Sequence, residues 1–236
     1  MAVNVKLFDD KTMTVISAGT IRRLTQPLLF RFWFKRGTRR TSTFRIGWTD
    51  LQIYPTVFHP KYFGSSLIFA RFIEKLDLAG RRFLDMGTGS GIIGLSAARA
   101  GADVTSVDIN SEAVRCARDN ARTASVKIRC LESDLFSALE HDQFDIIAWN
   151  PPFFAKPAAN FEEMALYAGD DHVVIRKFAA DVGTRLAPKG VIYLIFSIDG
   201  GLPALERIFR DAGFSVTVAK TEKWGLAETM VILEIR

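Results

Sequence analysis

Asn150-Pro151-Pro152-Phe153 is the part of this chain best suited to chemistry. It follows an apolar run, Phe144-Asp145-Ile146-Ile147-Ala148-Trp149, that reads as a buried strand. A side-chain amide thus stands at a strand end, held by two prolines and followed by an aromatic ring. The amide oxygen and a nearby backbone carbonyl accept hydrogen bonds from an NH2 group, and the ring suits a planar partner. Proline fixes φ and carries no N–H, so the turn is stiff and the Pro151 carbonyl is free to face a ligand. Asn-Pro also opens ordinary turns, so the tetrapeptide alone leaves both readings open.

A second motif lies upstream. The short strand Phe83-Leu84-Asp85-Met86 runs into Gly87-Thr88-Gly89-Ser90-Gly91 and then a small-residue helix. Glycines permit positive φ and close approach of a ligand to the main chain, and the helix start offers unpaired N–H groups. Such a loop alone also fits NAD or FAD. Asp85, however, stands two residues before Gly87, where an acid disfavours pyrophosphate and favours a cationic amino group. A second strand ends in Asp108-Ile109, where an acid takes ribose hydroxyls. A third leads to Asp134-Leu135, where the acid suits an adenine amino group. S-adenosylmethionine has an amino-acid end, a ribose and an adenine, and satisfies all three acids.

With these motifs the chain resembles the class I S-adenosylmethionine-dependent methyltransferases. More narrowly, it is similar to the small-domain and HemK-type branch with Asn-Pro-Pro and an aromatic. The resemblance covers roughly residues 54–236. It implies a cofactor site at Asp85, Gly87, Thr88, Gly89, Gly91, Asp108, Ile109, Asp134, Leu135 and Asn150. It places the target nitrogen at Asn150, Pro151, Pro152 and Phe153. The stretch Phe58-His59-Pro60-Lys61-Tyr62-Phe63-Gly64-Ser65-Ser66 resembles the entry to the helix before the first strand, near the cofactor's methionine end. Where HemK-type proteins have a Gly-Gly-rich segment, this chain has Gly169-Asp170-Asp171.

These motifs need a scaffold with several strand ends on one side. Strands are expected near 82–86, 103–108, 126–131, 144–149, 190–197, 214–220 and 228–235. Helices are expected near 65–77, 91–100, 111–122, 171–186 and 202–212. Alternation of this kind predicts an α/β fold: a Rossmann-like, mostly parallel seven-stranded sheet, helices on both faces and an antiparallel last strand. Residues 54–236 form the expected catalytic domain. Residues 1–53 form an extension, with a helix over roughly 17–25 and a β-hairpin over residues 43–58 that leads into the catalytic domain.

Charge is uneven. Residues 1–50 carry ten Lys and Arg against three Asp, a net of +7, and the remainder carries 21 against 23. The densest basic block, Phe30 to Arg40, interleaves arginines with aromatics. Such a block binds phosphates and bases, lies on an anionic membrane surface, or packs its rings on the domain while its arginines stay wet. Cys116 and Cys130 form no disulfide framework, and His59, His141 and His172 have no ligand spacing, so no metal is expected. The sequence contains no apolar run of 18 residues and no signal-peptide pattern at its start, and the expected compartment is the cytoplasm.

The leading expectation is an N-methyltransferase using S-adenosylmethionine on a macromolecule, a protein glutamine or lysine or an RNA base. One alternative is a small-molecule enzyme with the extension as a lid, lined by Phe30, Trp33 and Phe34. Others are a non-catalytic cofactor-binding module and, more distantly, a nicotinamide dehydrogenase.

Overall fold

A computed structural model describes residues 40–61, 64–224 and 228–236. The expected helix over 17–25 and the basic aromatic block up to residue 39 lie outside these residues. Seven strands form the main sheet: β3 (Arg82–Met86), β4 (Asp103–Asp108), β5 (Ile128–Glu132), β6 (Phe144–Trp149), β7 (Leu186–Ser197), β8 (Val216–Trp224) and β9 (Glu228–Ile235). Their order is β5-β4-β3-β6-β7-β9-β8. The pairs from β5 to β7 are parallel, and β9 runs antiparallel to both neighbours. The chain moves outward from β3 to β5 and returns to β6 on the other side of β3. That reversal leaves a crevice at the carboxyl ends of β3 and β6, where open α/β sheets bind ligands.

The helices are α1 (Ser65–Ile73), α2 (Ile92–Arg99), α3 (Ser111–Thr123), α4 (Phe161–Met164), α5 (Val173–Asp181) and α6 (Leu202–Asp211). They cover both faces, over two separate buried clusters. Phe69, Phe83 and Leu95 lie in one, and Phe178, Phe196 and Phe209 in the other. Local chemistry sets the helix starts. Asn110 accepts a hydrogen bond from Glu112 N at 3.0 Å and caps α3, one residue before the expected Ser111 start. Gly91 caps α2 at a φ of 86°, with Ala117 of α3 so close that a Cβ would meet its Cα at 3.0 Å.

The structure differs from the sequence expectations in four places. Residues 42–53, grouped by sequence with the extension, form a hairpin of β1 (Ser42–Ile46) and β2 (Thr49–Ile53) that shares the main core. Leu51 and Ile53 are fully buried, and Asn120 of α3 pairs with the Gln52 backbone in both directions at 2.8 Å. Helix α1 stops at Ile73 rather than 77, because Lys75 N and Leu76 N make tight bonds to Phe72 and Ile73. The helix expected over 171–186 is shorter at both ends: Asp171 and His172 adopt left-handed φ of 49° and 55° that no α-helix accommodates, and Val182–Arg185 tighten into a 3-10 turn. Strand β7 begins at Leu186, four residues early, through an irregularity in its pairing with β6.

Candidate active site

A cleft of about 200 Å³ opens at the carboxyl ends of the parallel strands. Its first wall is the loop after β3. Gly87 and Gly89 have φ of 66° and 54°. A Cβ on Gly89 would meet nothing nearer than Phe58 at 4.0 Å, so backbone conformation, not space, calls for glycine there. Thr88 N donates to the Val107 carbonyl at 2.9 Å, and Gly89 N donates to Asp108 Oδ2 at 2.9 Å. The loop is thus tied to the end of β4.

Asp108 lies on the cleft wall. Its other oxygen accepts from Asn110 N at 2.9 Å. Burial pushes its carboxyl above the ordinary range, opposed by the N–H groups of Asn110, Gly89 and Ile109. Each oxygen keeps a lone pair for a hydroxyl donor. Ile109, Asp134 and Leu135 continue the same wall. A φ of 49° at Leu135 turns the chain there.

Two of the expected cofactor residues stand behind this wall. Gly91 faces Ala117 rather than the cleft. Asp85 is fully buried, and its Oδ2 accepts from Thr88 Oγ1 at 2.6 Å and Gly94 N at 3.0 Å. Those bonds turn the carboxylate under the loop, which it braces. Its Oδ1 is buried and takes no hydrogen bond among the described residues. Burial raises its pKa to about 6, despite the lowering effect of Thr88 and Gly94.

The second wall is the turn after β6. Asn150, Pro151, Pro152 and Phe153 all line the cleft. Asn150 Nδ2 donates to Ser65 Oγ at 3.2 Å and Ser66 Oγ at 3.1 Å, at the start of α1. Phe153 packs edge-on against Phe196 with centroids 5.0 Å apart. Gly200 lies so close that a Cβ there would meet Phe153 Cβ at 3.2 Å. The ring is thereby held in the cleft wall.

Sequence reasoning missed a third wall. Residues 154–169 fold back as a flap: Phe154 N donates to Leu166 O at 3.0 Å, Ala168 N to Phe154 O at 2.8 Å, and Gly169 N to Lys156 O at 3.0 Å. The flap brings Phe161, Met164, Leu166 and Tyr167 to the cleft, joined by Glu228 and Met230 of β9. The sequence signal was a cluster of apolar residues just after a stiff turn, too short for periodicity to register.

Comparison with known proteins places this arrangement. The profile of a family described as "Methyltransferase small domain" matches residues 55–226. The chain belongs to this methyltransferase family. Its fold is shared with solved methyltransferases. A Methanocaldococcus jannaschii protein, provisionally described as a protein N5-glutamine methyltransferase, is 29% identical over 190 residues, covering 77% of this chain and 93% of that one. The release factor glutamine methyltransferase of Deinococcus radiodurans is 34% identical over 149 residues, covering 58% of this chain and 52% of its own. The methyltransferase therefore spans about half the length of that relative. Among solved structures, a Thermus thermophilus 16S rRNA N2 G1207 methyltransferase, in complex with AdoMet and guanosine, superposes with a TM-score of 0.59 at 26% identity, covering 83% of this chain and 49% of that one. An E. cuniculi Mtq2–Trm112 complex, described as responsible for methylation of eRF1, gives a TM-score of 0.59 at 20% identity over 76% of this chain and 98% of that one, a likeness of fold.

Proposed function

We propose that this methyltransferase transfers methyl from S-adenosylmethionine to a planar amide nitrogen of a macromolecule, foremost a protein glutamine. The observation that carries the reading is Asn150. Asn150 lines the cleft and its Nδ2 donates to two serines, while among the described residues its Oδ1 accepts no hydrogen bond. An oxygen so placed accepts an N–H from the acceptor.

The residues present fit the cofactor. Gly87 and Gly89 let it approach the main chain, Asp108 has lone pairs for ribose hydroxyls, and Asp134, on the same wall, would take the adenine amino group. Asp85 acts from beneath, with one buried oxygen in want of a donor. S-adenosylmethionine supplies a methyl on a sulfonium, so little acid–base chemistry is required of the protein. Asn150 Oδ1 and the Pro151 carbonyl hold the acceptor's N–H groups and favour electron density on its nitrogen. Phe153 supports the acceptor plane. Positioning of this kind contributes up to roughly 7–11 kcal/mol when the reacting atoms are well aligned.

Named relatives act on protein glutamine, which favours that acceptor. A base amino group in RNA is the second reading, favoured by the resemblance to the rRNA methyltransferase. No helix among the described residues is long and apolar enough to cross a membrane. With translation-related acceptors, the cytoplasm is the proposed compartment.

The test is incubation with methyl-labelled S-adenosylmethionine and a cell extract, then separation into protein, RNA, DNA and small molecules. Label in protein that survives as N5-methylglutamine after digestion supports the reading. Label confined to small molecules overturns it, and label in RNA selects the second.

A further inference from the structure

The acceptor-holding oxygen of Asn150 works only if the amide is turned the right way. An amide rotated by half a turn about its last torsion offers N–H donors to the acceptor's N–H groups and repels them. Its two ends are almost equal in size, so packing alone does not choose between them. The amide also has to be held in place, and hydrogen bonds to one of its ends do that.

We infer that Ser65 and Ser66 are positioning residues that anchor the Asn150 amide, and with it the geometry of the acceptor site. The inference rests on the N-methyl transfer reading above. Both hydroxyls lie within hydrogen-bond distance of Nδ2, at 3.2 and 3.1 Å. Both serines are buried, at 1% and 6% exposure, so water does not readily substitute for them. Together they tether the NH2 end of the amide, while Oδ1 accepts no hydrogen bond among the described residues.

Their placement is built. Ser65 and Ser66 are the first two residues of α1, and helix-start residues have backbone N–H groups without helical partners but well-fixed backbone angles. Just before them, Gly64 lies against the Trp224 indole at the end of β8, so closely that a Cβ on Gly64 would fall within the ring. The serine pair is thereby pinned between the sheet edge and the Asn150 turn, some 85 residues away in sequence. Ser66 also lines the cleft itself.

Side-chain NMR and kinetics test this together. In wild-type protein with 15N-labelled asparagine, the Asn150 NH2 protons, assigned by their loss in Asn150→Ala, should exchange slowly with water. Ser65→Ala and Ser66→Ala should each speed that exchange, and Ser65→Ala, which lies off the cleft lining, should leave the calorimetric affinity for S-adenosylmethionine unchanged. Each should slow label transfer into the extract fraction used by the wild type by about three- to tenfold, as expected for one lost hydrogen bond. In the Asn150→Ala background the same serine changes should cost nothing further, since there is no amide left to orient. Ser66→Thr keeps the hydroxyl and should restore most of the slow exchange. Unchanged exchange and transfer in both serine variants would overturn the inference while leaving the role of Asn150 intact. Serine effects of the same size with and without Asn150 would also overturn it, as plain structural damage. If Asn150→Ala itself transfers label at the wild-type rate, the underlying reading fails first, and the inference with it.

Discussion

Asp85 sets stability against use. A buried carboxyl with a pKa raised to about 6 holds its proton in the folded state over a range where the unfolded chain has lost it. The folded protein therefore loses stability as pH rises from about 4 to 6, and the penalty is fully present above that window. Asp85→Asn removes the titration. Its melting temperature relative to wild type should shift in the variant's favour between pH 5 and pH 7.5, as read by thermal scans at both values. An identical gap at the two pH values would mean that Asp85 is not the titrating group. Asp108 differs, because it faces the cleft. Asp108→Ala should weaken S-adenosylmethionine binding by about 10- to 100-fold in calorimetry, the range for lost hydrogen bonds to a charged group. Most of these positions were legible in the sequence because their types are chemically distinctive at strand ends. What was not legible was depth: Asp85 and Asp108 have the same type and a similar place at a strand's end, yet Thr88 and Gly94 draw one carboxylate under the loop. That depends on hydroxyl and N–H partners supplied by the folded loop.

At the level of elements, the start of α1 is the joint most exposed to substitution. Gly64→Ala must displace either the Trp224 ring or the helix start. The expected cost is about 1–3 kcal/mol, as for other overpacked contacts, read as a lower denaturant midpoint. Turnover should fall beyond what the lost stability explains, because Ser65 and Ser66 move with the helix. Adding Trp224→Leu should recover part of both, and a double variant no better than Gly64→Ala would show that the contact is not the cause. The sheet was legible because its strands are apolar runs separated by helical patterns. The limits of α1 and α5 were not, since tight turns and left-handed residues ended helices that periodicity continued. The flap over 154–169 was likewise hidden. Its fold-back is closed by backbone hydrogen bonds, which carry no sequence signature, and only the capping of its short helix by Asn160 and Glu163 was there to be read.

Across the whole molecule, charge and catalysis are divided. The net +7 of residues 1–50 adjoins a remainder that is slightly acidic. The described residues carry the buried clusters and every cleft residue named above. Removing residues 1–39 should therefore leave the calorimetric affinity for S-adenosylmethionine within about twofold, since all the named cofactor residues are kept, while flattening the salt dependence of label transfer to macromolecules. Transfer with the same rate and salt dependence would show that the basic block does not recruit the acceptor. The central claim is narrower and lies at Asn150. Its most direct test is single-turnover transfer from saturating labelled S-adenosylmethionine by Asn150→Ala and wild type, with cofactor affinity measured on the same samples. The account predicts a rate about 100- to 1,000-fold lower, comparable to the loss of one well-placed transition-state contact, with affinity nearly unchanged. An equal rate in the two proteins would contradict it.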